Sequence, residues 1–140
     1  MTQLELPPEI RDSFYETVWK IVRQVPPGKV STYGQVGSFI PRPEGISPED
    51  FETYRARWVG NAMSASPRDV PWQRVINSQG KISLRRSAVT QRRLLVEEGV
   101  DFDDKDRVDL KRFGWEGPPA EWLRENDLIA PEEPKQLGLF

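Results

Sequence analysis

Cysteine and histidine, the two side chains most often recruited for nucleophilic and metal chemistry, do not occur anywhere in the 140 residues. Their absence excludes Cys–His and Ser–His catalytic pairs, Cys/His zinc sites and disulfides. A carboxylate or lysine enzyme is formally open, but no paired-carboxylate or Gly-rich phosphate motif supports one. The most unusual stretch is Val70-Pro71-Trp72-Gln73-Arg74-Val75-Ile76-Asn77-Ser78, where an indole stands between a proline and an amide. Indole is no nucleophile, because its nitrogen lone pair belongs to the aromatic system. It offers a flat apolar surface, and a tryptophan in an apolar run most often joins a core.

Three further segments accompany this stretch: Gly28-Lys29-Val30-Ser31-Thr32-Tyr33-Gly34, Val59-Gly60-Asn61-Ala62-Met63 and Leu94-Leu95-Val96-Glu97-Glu98-Gly99. In this order they resemble the DNA alkyltransferases that repair guanine alkylated on its 6-oxygen. The active-site signature of those enzymes reads Pro-Cys-His-Arg-Val. Here Trp72 and Gln73 stand at the cysteine and histidine positions. Tryptophan at the acceptor position marks the alkyltransferase-like proteins, a non-enzymatic sister group, and the resemblance spans about residues 10 to 115. Alkyl transfer needs a polarisable nucleophile, usually a thiolate activated by a base. Self-alkylating repair is therefore excluded, and no catalytic residue, metal or cofactor is expected.

The resemblance implies roles for individual residues. Tyr33 and Arg57 match the pair that rotates a nucleotide out of duplex DNA: Tyr33 presses on the target phosphate, and Arg57 enters by the minor groove and fills the vacated stack. A guanidinium suits that task, because it can stack and hydrogen-bond with the orphaned base. Asn61, Ser64 and Ser66 are expected to donate to phosphates, Ser66 standing where the enzymes carry an asparagine hinge. Trp72, Val75, Ser83 and Arg85 are expected around the pocket for alkylguanine, with Arg86 an equal candidate for the role of Arg85. Glu98 matches a glutamate that supports the enzymes' histidine–cysteine network, so a structural role is expected here. Arg74 is expected to make an internal scaffold contact.

Charge along the chain agrees with a nucleic-acid surface, although a solvated charged face reads similarly. The formal net charge is −2, yet from Phe51 to Leu95 nine basic residues stand against Glu52 and Asp69. From Glu116 onward six acidic residues outnumber Arg124 and Lys135. A basic middle and an acidic end fit a DNA-binding body joined to a segment that avoids DNA. No apolar run approaches the ~20 residues of a membrane span, and no signal pattern opens the chain, which suggests a cytoplasmic, nucleoid-associated monomer.

The elements that must hold these residues are largely helical. Pro8 and the spacing of Ile10, Phe14, Val18, Ile21 and Val22 predict a helix over 8–24, stopped by Val25-Pro26-Pro27-Gly28. A short helix over 32–39 follows, then a punctuated loop at 41–45. Ser47-Pro48-Glu49-Asp50 has a cap, a proline at the first helical position and acids in the first turn, predicting a helix to about Ala65. The pair reads as a helix-turn-helix whose connection is about ten residues longer than usual. Residues 72–76 and 81–84, around Asn77-Ser78-Gln79-Gly80, suggest a hairpin wing. A helix over 87–98 ends at Gly99, and 100–102 with 108–110 form short strands or cover the core.

The fold class expected is α/β, mainly α: a winged helix-turn-helix DNA-binding domain of the alkyltransferase C-terminal type over 1–115. Residues 116–140 read as an acidic, Pro-rich tail with one helical segment over 119–126. The last five residues, Gln136-Leu137-Gly138-Leu139-Phe140, resemble the pentapeptide by which bacterial repair proteins bind the sliding clamp, with Gln136 the polar element and Leu137, Leu139 and Phe140 the anchors. The function implied is to bind duplex DNA containing alkylated guanine, flip the base without repair, and flag it for nucleotide excision repair proteins. A winged-helix regulator of undamaged DNA is the alternative.

Overall fold

The computed structural model describes residues 5–83 and 85–131. Helix α1, Pro8–Val22, starts with proline in its first turn and buries Phe14, Val18, Ile21 and Val22, an i, i+4, i+7, i+8 stripe. It ends three residues before Val25, and Gly28 turns the chain at φ +86°. Strand β1 is the dipeptide Ser31–Thr32, and Thr32 also caps α2, Tyr33–Ser38, its hydroxyl accepting from the Gln35 N–H at 3.0 Å.

Helix α3, Pro48–Ser64, begins as its sequence dictates: Ser47 Oγ accepts from the Asp50 N–H at 3.1 Å. Its inner face buries Phe51, Trp58, Val59, Ala62 and Met63. Trp58 meets Phe14 of α1 edge to face, with ring centroids 6.2 Å apart. At the crossing of α2 and α3, bare Gly37 lets Arg55 and Val59 approach closely. The long connection between these helices is an anchored loop. Ile40 and Ile46 are buried, and Arg42 closes it with a 2.7 Å hydrogen bond to the Ile46 carbonyl.

The expected hairpin wing needs correction. Trp72–Arg74 is a single 3₁₀ turn, and β2, Val75–Ile76, pairs in parallel with β1 in the register Ser31↔Val75, Thr32↔Ile76. The turn after β2 does close, the Asn77 N–H donating to the Lys81 carbonyl at 3.0 Å. Residues 81–83, however, form no strand. Val108 takes the adjacent place by donating its N–H to the Gly80 carbonyl at 2.8 Å. The wing is thus a turn braced by residues 100–108, where Phe102 and Val108 make one antiparallel bridge.

A 3₁₀ turn at Arg85–Ser87 leads into α4, Ala88–Glu97, which ends before Gly99 at φ +95°. Helix α5, Leu110–Phe113, is capped by Asp109, and α6 spans Ala120–Glu125. Leu123 of α6 lies fully buried in the main core beside α1, α2 and α3, with Trp122, Leu128 and Ala130 packed around it. The Ile129 N–H donates to the Phe39 carbonyl at 2.8 Å. A boundary at 115/116 therefore does not separate body from tail. Residues 120–130 carry enough apolar surface to dock, despite their acidic surroundings. The terminal Gln136, Leu137, Leu139 and Phe140 lie outside the described residues.

Candidate nucleic-acid interface

The outer face of α3 is the complement of its buried stripe. Arg57, Asn61 and Ser64, spaced i, i+4, i+7, share it and are exposed. Arg57 has no ion-pair partner among the described residues, so its guanidinium is available to a ligand. Asn61 also borders a small separate hollow with Leu6 and Arg11. Ser64 returns its hydroxyl proton to the Gly60 carbonyl at 3.3 Å.

Tyr33 opens α2 and reaches α3 at its bare spot. A Cβ on Gly60 would stand 3.9 Å from the ring, so the phenol rests on glycine backbone one turn beyond Arg57. Its oxygen accepts a hydrogen bond from Ser83 Oγ at 3.1 Å. Burial raises the phenol pKa, outweighing the lowering by that hydrogen bond, so the group is protonated at neutral pH.

Beside this seam opens a cavity of about 550 Å³, inside the ~300–1,000 Å³ range of small-molecule sites. Met63, Ser64 and Ser66 at the end of α3 form one side, and Trp72 forms a wall. Ser83, Arg85, Arg86 and Ser87 close the other side. Trp72 is thus a half-buried cavity residue outside both core clusters. Arg85 and Arg86 both border the space, so either guanidinium reaches its rim. Ser66 turns its hydroxyl to the Met63 carbonyl at 2.8 Å, closing the end of α3.

Val75 does not line this cavity. Its side chain is fully buried in the main core. Its carbonyl accepts from Gln91 Nε2 at 3.0 Å. The same amide donates to the Gln73 carbonyl at 3.1 Å, so Gln91, fully buried on α4, holds both ends of the turn that presents Trp72. Sequence reasoning missed it. The available signal was a polar residue on the inward stripe with Ala88 and Leu95, where burial requires partners.

Behind Trp72, Glu98 collects donors. Gln73 Nε2 reaches one oxygen at 2.9 Å, Arg74 grips both oxygens at 3.0–3.2 Å, and the Gly28 N–H adds a bond at 3.2 Å. Arg74 also donates to the Val25 carbonyl at 2.8 Å. Burial pushes the Glu98 pKa up, but the bonds from Arg74, Gln73 and Gly28, with the charge of Arg74, outweigh it. The carboxyl stays below its ordinary range. Glu98 and Arg74 thus tie the turn at 72–74 to the end of α1 and to α4, the internal role expected of both.

Comparison with known proteins agrees with this geometry. Residues 13–100 match the family described as 6-O-methylguanine DNA methyltransferase, DNA binding domain. The chain is 35% identical to the DNA base-flipping protein of Vibrio parahaemolyticus over 108 residues, 75% of this chain and 98% of that one. It is 40% identical over 96 residues to Alkyltransferase-like protein 1 of Schizosaccharomyces pombe, covering 65% and 80% respectively. The crystal structure of S. pombe Atl1 with damaged DNA containing O6-carboxymethylguanine superposes with a TM-score of 0.57 at 37% identity, covering 75% of this chain and 96% of that one. With residues 13–100 matching that family and a relative at 40% identity, the chain belongs to the 6-O-methylguanine DNA methyltransferase DNA-binding family, among its alkyltransferase-like members.

Proposed function

We propose that the protein binds duplex DNA containing guanine alkylated on its 6-oxygen, rotates the damaged nucleotide into the cavity, and holds it there unrepaired. The observation that carries this reading is the cavity at the end of α3, walled by Trp72 and reached from the seam where Tyr33 rests on Gly60. Unstacking a base costs a few kcal/mol, so a side chain must replace the lost contacts. Arg57, exposed and without an ion pair among the described residues, stands on the outer face of α3 and can do so. Trp72 offers the extruded base an aromatic surface, and Arg85 or Arg86 can add a cation–π contact of roughly 0.5–2 kcal/mol.

Holding without chemistry follows from composition. With no thiol and no imidazole in the chain, the alkyl group has no acceptor. A protein that holds a lesion reversibly serves as a marker, and we assign it the role of presenting alkylguanine to nucleotide excision repair proteins in the nucleoid. The terminal segment 136–140 is proposed to add contact with a bacterial sliding clamp, by its resemblance to clamp-binding peptides. No described helix is long and apolar enough to cross a membrane.

Intact-mass measurement tests the non-enzymatic character. After prolonged incubation with an O6-methylguanine duplex, both masses should be unchanged and the lesion fully recoverable. A protein heavier by one methyl group would overturn the reading.

A further inference from the structure

The hydrogen bond between Ser83 and Tyr33 joins parts of the interface with different tasks. Tyr33 sits at the start of α2, its ring fixed on one side by Gly60. Ser83 borders the cavity two residues before Arg85. Ser83 Oγ donates to Tyr33 Oη at 3.1 Å, and among the described residues it is the phenol's hydrogen-bond partner.

A phenol oxygen carries one proton and accepts from the side that the proton leaves free. The bond to Ser83, a residue of the cavity edge, takes up one side of the phenol oxygen and leaves its other side free for a ligand. We propose that Ser83 is a positioning residue for base rotation: it holds the Tyr33 phenol in place and ties the Arg85-bearing edge of the cavity to that same phenol. The inference rests on the base-rotation reading given above.

The site of this bond sets when it counts. In the free protein Ser83 is exposed and water competes for its hydroxyl. A bound duplex excludes that water, and a hydrogen bond in a drier setting is stronger. Loss of the Ser83 hydroxyl should therefore leave the folded state unaltered and act on the lesion complex.

The test uses the full chain with a duplex carrying O6-methylguanine and an adjacent 2-aminopurine, whose fluorescence rises on unstacking, and with the same duplex lacking the lesion. Ser83→Ala and Tyr33→Phe should each weaken binding to the lesion duplex by about five- to tenfold and reduce the fluorescence rise. The double variant should lose no more than the worse single one, because both substitutions break one linkage. Ser83→Thr should restore binding, melting temperatures should stay at parental values, and the loss should be larger on the lesion duplex than on the undamaged one. Full fluorescence with Ser83→Ala, or losses that multiply in the double variant, would overturn the role of Ser83 alone. So would equal losses on damaged and undamaged duplexes, or Thr and Ala variants behaving alike. A parental protein that gives no fluorescence rise would overturn the base-rotation reading and this inference together.

Discussion

Arg57 and Asn61 lie exposed on the outer face of α3, and that placement gives Arg57 a testable meaning. Arg57 has no ion pair among the described residues, so Arg57→Ala should leave melting unchanged within about 0.5 kcal/mol. If its guanidinium fills the vacated stack, the substitution should weaken lesion binding by about 10- to 100-fold, more than loss of a simple phosphate contact. Equal weakening on damaged and undamaged duplexes would reduce Arg57 to a backbone contact. That Tyr33 opens a short helix and Arg57 rides on the longer one was legible in the sequence, because the helix signals around them placed both elements. Val75 was not. Its neighbour Trp72 faces the cavity, but the parallel pairing of Val75 with Ser31 turns the valine into the core.

Glu98 carries a second residue-scale prediction. Its folded-state pKa lies below the ordinary carboxylate value of 4.5. The charged form is therefore favoured by folding, and the stabilisation is fully present above that value. It is lost as pH falls through the lower folded-state pKa. Glu98→Gln should cost about 2 kcal/mol at pH 7, since bonds to a charged acceptor become neutral ones. The cost should shrink as pH falls through the lowered folded-state pKa and the parental carboxyl protonates. Chemical denaturation across pH measures this, and a cost that grows on acidification would contradict the assignment.

At the scale of elements, local signals were read well and distant ones poorly. The start of α3 is written in four consecutive residues, and its cap forms as they dictate. The wing was misread because nothing near residues 75–76 announces that their partner is Ser31–Thr32, far back in the chain. Composition misled at α6, where acidic and proline residues mask Leu123, a fully buried member of the main core. Leu123→Ala should destabilise the protein by about 2–5 kcal/mol, the range for a buried leucine reduced to alanine. Thermal or denaturant unfolding reads this directly. A loss under 1 kcal/mol would return α6 to the tail.

For the whole molecule, charge and chemistry divide along the chain. The basic middle supplies Arg85 and Arg86 to the cavity, while the acidic end includes α6, docked on the main core, and runs on in sequence to the terminal segment. Deleting residues 136–140 should leave affinity for short lesion duplexes nearly unchanged and abolish capture by a bacterial sliding clamp, whose cleft would receive Leu137, Leu139 and Phe140. Undiminished capture of the truncated protein would reject the clamp assignment.

The central claim is that this architecture recognises a damaged base rather than a sequence. Two duplexes identical except for a methyl group on one guanine O6, competed for the full chain at one fixed salt concentration, put it to the most direct test. Backbone contacts are common to both duplexes, so they cancel in the comparison. The account predicts clear preference for the methylated duplex, at least about tenfold, reversible on dilution, with both DNAs recovered intact. Equal affinity for the two duplexes would contradict it.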